Sequence, residues 1–133
     1  MESKLKNFCF VDYTLDAIIM SYDQSEIRVS DSEYKKAFSI NCYSYIGYEC
    51  LGQWDESIIS RVYINDSREF VNMCLKKVMV NYSKNYNPSP AKNFDDFFFE
   101  VTVELIDKTL IRIVCKNVDV KEIKFINSKE TFS

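Results

Sequence analysis

Carboxylates, lysines, tyrosines and cysteines are the side chains left to this sequence for chemistry, because its 133 residues include no histidine. Without an imidazole, the Ser-His-Asp and Cys-His nucleophile systems are excluded, and the commonest general base is missing. The obvious carboxylate pairs are Asp95-Asp96 and Glu100/Glu104. On one strand face, four residues apart, the latter two would stand roughly 13 Å apart, too far for a retaining glycosidase pair at about 5 Å. They read as a solvated strand face. Asp12, Asp16 and Asp23 lack the spacing of an EF-hand loop. The five cysteines, Cys9, Cys42, Cys50, Cys74 and Cys115, form no C-x-x-C pair. A zinc site would have to draw its ligands from distant positions. The cysteines read instead as free, mostly buried thiols in a reducing compartment, with nothing nearby to lower a thiol pKa. The expectation is a non-catalytic chain with no metal and no cofactor.

Binding chemistry has better material. Tyr43, Tyr45 and Tyr48 form a polar-tipped aromatic stripe, and the single tryptophan follows in Gly52-Gln53-Trp54-Asp55-Glu56. Tyrosine and tryptophan bring large contact area at low entropic cost, and neighbouring acids can steer a basic partner. The candidate partner-binding residues are therefore Tyr45, Tyr48, Trp54, Asp55 and Glu56. The competing readings are structural. Trp54 could close one end of the core as a rim residue, and the tyrosines could line a sheet face covered by a helix.

Bulk properties narrow the classes of function. An apolar fraction of 47% and a charged fraction of 28% over 133 residues fit one globular domain able to bury a core. The net charge of −3 argues against nucleic acid, whose phosphates require clustered Lys and Arg. Residues 1–7 are polar and charged, and the apolar run Phe8-Cys9-Phe10-Val11 is too short for a signal-peptide core. No stretch reaches membrane-span length. The expectation is a cytoplasmic protein that binds neither membrane nor nucleic acid. Only two glycines and two prolines are present, so hairpins must turn through Asp, Asn, Ser and Lys.

The elements that would position these residues follow from periodicity. The densest apolar block runs from Phe97 to Ile106, then through Asp107-Lys108, then from Thr109 to Cys115. It reads as two strands folded at a short turn. Phe97, Phe99, Val101, Val103 and Leu105 lie on its packed face. Phe98, Glu100, Thr102 and Glu104 lie on a largely wet face. Earlier, residues 16–22 and 26–30 form a first hairpin about Asp23-Gln24-Ser25, with Ile27 and Val29 on one face. Residues 8–11 are a short strand or an apolar plug. In the long stretch 34–50, Phe38, Ile40 and Cys42 share a face opposite Ser39, Asn41 and Tyr43. Gly47 marks a bulge or bend. Residues 57–64 form a strand with Ile58, Val62 and Ile64 on one face and Ile59 and Tyr63 on the other. Asp66-Ser67-Arg68-Glu69 is a helix-start signature, and Phe70, Val71, Cys74, Leu75, Val78 and Tyr82 make one helical stripe, predicting a helix over 67–83. Residues 84–96 hold both prolines and form a loop. After a turn at Lys116-Asn117, residues 118–126 form one or two last strands. Residues 1–7 and 127–133 are expected to be flexible ends. The fold class is α+β: one domain, 1–133, of mostly antiparallel sheet, in a sandwich or half-barrel, with one amphipathic helix.

Three stretches carry a resemblance of layout. A hairpin with Tyr22-Asp23-Gln24, the segment Gly52-Gln53-Trp54-Asp55-Glu56-Ser57-Ile58-Ile59, and the closing strand Ile111-Arg112-Ile113-Val114-Cys115-Lys116-Asn117-Val118 look like those of small bacterial β-rich proteins. Some of that group resemble immunity proteins of polymorphic toxin systems. The resemblance carries no diagnostic motif and transfers no functional residue. It implies a non-enzymatic cytosolic protein that binds and blocks one toxin. A self-associating structural β-domain and a carrier of a small apolar ligand are the alternatives.

Overall fold

A computed structural model describes Leu5 and residues 8–53, 57–85 and 98–124, with helical side chains described as far as Val78. Among the described residues, eight strands and one 17-residue helix follow in the order β1 (Thr14–Met20), β2 (Gln24–Asp31), β3 (Lys36–Tyr43), β4 (Gly47–Leu51), β5 (Ile59–Ile64), α1 (Glu69–Asn85), β6 (Phe99–Leu105), β7 (Leu110–Cys115) and β8 (Asn117–Ile123). All strand pairs are antiparallel, in two four-stranded sheets. The first has the order β1-β2-β3-β8 and the second β4-β7-β6-β5. The α+β class and the amphipathic helix expected from the sequence are both present.

Two bent strands tie the sheets together. β3 runs into β4 through Ser44-Tyr45-Ile46, and β7 runs into β8 through Lys116. β3 pairs with β8 and β4 with β7, so one long antiparallel ribbon turns a corner from sheet to sheet, the device of orthogonal β packing. The bend lies at Ser44, in left-handed backbone (φ 55°), three residues before Gly47. Gly47 has another task. A Cβ there would meet Cys74 Sγ at 2.1 Å, so the missing side chain lets α1 lie against the sheet. At the opposite corner the starts of β1 and β5 meet. Thr14 bridges Ile58, Leu15 N–H donates to the Ser57 carbonyl at 2.7 Å, and Ile59 N–H donates to the Tyr13 carbonyl at 2.8 Å.

The turns confirm that scarce glycine is replaced by polar residues. Asp12, Asp23, Lys35, Ser44 and Lys108 all have positive φ. In the β6–β7 hairpin, Lys108 (φ 73°) follows a turn closed by its N–H on the Leu105 carbonyl at 3.0 Å, and Asp107 Oδ1 accepts from Thr109 N–H at 3.0 Å.

The main core lies between the sheets. Ile27, Val29, Ile40 and Cys42 of the first sheet meet Val101, Val103, Leu105, Ile111, Ile113 and Cys115 of the second, all fully buried. Leu5 and Phe10 close one end, and Phe8, Phe10, Tyr13 and Phe38 stack there with ring centroids 5.3–6.1 Å apart. Of the stretch 1–7, expected to be a flexible end, Leu5 alone is described, and it is buried. A second, smaller cluster lies outside the second sheet. There Phe70, Val71, Cys74 and Leu75 of α1 pack on Phe98 and Val114, with Ile46 against them.

Two expectations need correction. In β5 a register shift between Ile59 and Arg61 inserts one residue, so Ile59 rather than Ile58 joins Val62 and Ile64 on the core face, opposite Leu105, Val103 and Val101. The second concerns the face of β6 expected to be wet. Phe98, Glu100 and Thr102 are buried there. The helix and the flanking strands cover that face, which strand alternation alone does not reveal.

Candidate functional site

The aromatic stretch 43–53 is built around the bend between sheets. Tyr43, at the end of β3, accepts from Lys116 N–H at 3.1 Å. Ser44 N–H donates to the Asp23 carbonyl at 2.7 Å, and Tyr45 Oη donates to the Ser21 carbonyl at 2.8 Å. These two bonds hold the β1–β2 tip against the β3–β4 bend. The Tyr45 ring packs on the main core, so this residue pins the corner. Gly52 closes the segment with φ 133°, its backbone so close to Thr109 that a Cβ would stand 2.7 Å from Thr109 Cα.

Tyr48 differs. It sits opposite Ile113 in the β4–β7 register and therefore on the sheet face away from α1. On an edge strand that face opens to solvent, and Tyr48 is 40% exposed. Partial burial and the neighbouring Cys50 push its phenol above its ordinary pKa, so it is a neutral donor at physiological pH. The helix covers Ile46 and Gly47 of this segment. Leu51 is 50% exposed. Trp54, Asp55 and Glu56 lie outside the described residues.

Tyr22 was not among the sequence candidates. It occupies the β1–β2 tip at 96% exposure, one residue from the Ser21 carbonyl that holds Tyr45. Sequence alone places Tyr22 at the end of a strand over 16–22, whereas β1 ends at Met20, which leaves Tyr22 in the turn.

The buried charges form a separate cluster on the outer face of the second sheet. Glu100 is 0% exposed and takes a two-pronged ion pair from Arg112, Nε to Oε2 at 3.0 Å and Nη2 to Oε1 at 3.1 Å. Asn65 Nδ2 donates to the same carboxylate at 3.1 Å, and Thr102 Oγ1 also donates to it. Arg112 Nη1 reaches Glu49 Oε1 at 2.9 Å, and the guanidinium lies 4.4 Å from the centroid of the Phe70 ring. Burial pushes the Glu100 carboxyl upward, but the bonds from Arg112, Thr102 and Asn65 and the charge of Arg112 outweigh it and hold the group below its ordinary range. Glu104 pairs separately with Arg61 at 2.9 Å. The two glutamates expected to share a wet face thus have different partners, and Glu100 is sealed in. Both carboxylate oxygens of Glu100 accept from donors, and the Phe70 ring ties the cluster to α1.

Among the described residues no group of three or more His, Cys, Asp or Glu side chains comes together as a metal site, and no helix is long and apolar enough to cross a membrane.

No family model matches the chain, and no curated protein matches it. Its fold is similar to that in a crystal structure of an uncharacterized protein from Neisseria gonorrhoeae, with a TM-score of 0.52 at 10% sequence identity, over 86% of this chain and 94% of that one. At that identity the similarity concerns fold alone.

Proposed function

We propose that this protein is a cytoplasmic, non-catalytic binding module that captures a protein partner through the corner formed by the β1–β2 tip and the segment 43–56. Neutralisation of a cognate toxin, as in immunity proteins, is the most concrete form of that activity. The observation that carries the reading is a pair of exposed tyrosines at a braced corner. Tyr22 and Tyr48 are exposed, while the hydrogen bonds of Ser44 and Tyr45 hold the bend between them. Aromatic anchors on preorganised backbone lose little entropy on docking. Trp54, Asp55 and Glu56 belong to the same segment of sequence, and on this reading they act as an anchor and two steering acids.

The test is capture from the native cell with the tagged chain, comparing wild type with Tyr48→Ala and Trp54→Ala. Both variants are expected to keep the wild-type melting temperature and to lose at least about tenfold in recovered partner, the cost of a hot spot above 1 kcal/mol. Unchanged recovery with both variants overturns the assignment. A sedimentation series over concentration covers the other class of function: a mass that rises to that of a dimer indicates self-association in place of a heterologous partner.

A further inference from the structure

The four sheet edges are not equally guarded. β1 and β5 carry register shifts, between Leu15 and Ala17 and between Ile59 and Arg61, and they bond to each other at their starts. β8 carries Asp119, Lys121 and Glu122 within seven residues. Bulges and charges of this kind are how natural sheets prevent strand addition. β4 has neither device. Its register against β7 runs without a shift from Gly47 to Leu51, and among the described residues β7 is its one strand neighbour. Its single charge, Glu49, is directed to Arg112 on the outer face. Among the described residues the backbone groups on the far side of β4 therefore form an open template for an extended segment.

The charges select the occupant. Arg112 is shared by two carboxylates, Glu49 and Glu100, so the three groups keep one net negative charge, and Glu49 is the carboxylate that solvent and a partner can reach. A second copy pairing antiparallel over the full length of β4 would place Glu49 opposite Glu49, and like charges directly opposite are destabilising. A strand with a basic residue opposite Glu49 meets that excess charge instead. The residues flanking the basic one then fall on the face of Tyr48 and Cys50, which favours apolar side chains.

We infer that β4 binds its partner by strand addition, taking an extended segment of apolar–basic–apolar pattern from a protein of another sequence. This rests on the binding-module reading above and specifies its mode.

The probes are acetylated, amidated peptides Ser-Thr-Val-Lys-Val-Thr-Ser, with Glu or Pro replacing the central Lys in two controls, titrated into the isotope-labelled protein while backbone amide shifts are followed. The Lys peptide is expected to give saturable shifts confined to residues 47–51. The Glu peptide is expected to bind about fivefold more weakly, the scale of a cross-strand charge pair, and the Pro peptide to give no saturable shift. In Glu49→Gln, checked for an unchanged melting temperature, the Lys–Glu difference is expected to shrink to within about twofold. Shifts that are absent from 47–51 or scattered over other elements overturn the proposal. So does slow hydrogen exchange of all β4 amides in the free protein, which would mean the edge is already occupied. If the peptides fail while Tyr48→Ala still abolishes capture, docking is by side chains and strand addition falls alone. If capture also ignores Tyr48, the binding-module reading falls with it.

Discussion

Arg112 holds three groups at once: the Glu100 carboxylate, the Glu49 carboxylate and the face of the Phe70 ring. Replacing it by methionine leaves Glu100 buried and without its counter-ion, which is expected to cost about 3–5 kcal/mol in a urea melt. Adding Glu100→Met removes the stranded charge, and the double variant is expected to be more stable than Arg112→Met alone. A double variant as unstable as the sum of the singles would show that the two side chains are not coupled. The pH dependence has a definite sign. In the wild type the Glu100 carboxyl is depressed below its ordinary range, so its stabilisation is fully present above that range and is lost as pH falls through the depressed value. In Arg112→Met burial dominates, the carboxyl is raised, and the folded state binds a proton more readily than the unfolded one. The variant is then expected to gain stability as pH falls from 7 towards 5. Melts that respond to acid in the same sense for both proteins would overturn this account.

At the scale of elements, the docking of α1 depends on the bare backbone of Gly47. A Cβ there would stand 2.1 Å from Cys74 Sγ and 3.2 Å from Cys74 Cβ. Gly47→Ala is expected to push the helix off the sheet and to cost about 1–3 kcal/mol by overpacking. In the Cys74→Ala background, with the sulfur gone, the same change is expected to cost measurably less, a coupling that a double-mutant cycle reads directly. The start of α1 is tied to the same region. Asn65 Oδ1 accepts from Ser67 N–H at 2.9 Å while its Nδ2 donates to Glu100. One asparagine therefore sets both the entry of the helix and the orientation of the buried carboxylate. The helix stripe Phe70, Val71, Cys74, Leu75 and the start signature at 66–69 are legible in the sequence because both are local patterns. The sheet face they would cover is not legible, because it is set by the path of the chain after the helix.

At the scale of the whole molecule, one core drawn from both sheets makes the thiols a gauge of integrity. Cys42, Cys74 and Cys115 are buried, Cys50 is half-buried and Cys9 is exposed. The Cys115 thiol is pushed far above its ordinary range by its hydrogen bond with Cys42 and by burial, and burial also raises Cys74. A thiol reagent at pH 8 is expected to modify Cys9 quickly and Cys50 slowly. Cys42 and Cys115 are expected to react at the rate of global unfolding and to be released together in urea, whereas Cys74, in the cluster under α1, is released when the helix lifts. Fast labelling of Cys42 or Cys115 in the native protein would mean that the two sheets separate locally, against a single cooperative core.

The sequence by itself determined the elements and most of their inward faces. Ile27 and Val29, Phe38, Ile40 and Cys42, and Val101, Val103 and Leu105 all point inward as alternation requires, because a strand's period is a property of its own backbone. It also determined that turns would use polar residues in left-handed backbone, since only two glycines are present. Tertiary structure alone decided three things. It buried Glu100, because a helix 15 residues or more distant in sequence lies over that strand face. It reversed the phase of Ile58 and Ile59, because a bulge inserts a residue without changing composition. And it divided the aromatic segment, tying Tyr45 into the corner and leaving Tyr48 on an open edge. Which strand lies at an edge depends on the order of the sheet, and order arises from pairings between distant parts of the chain.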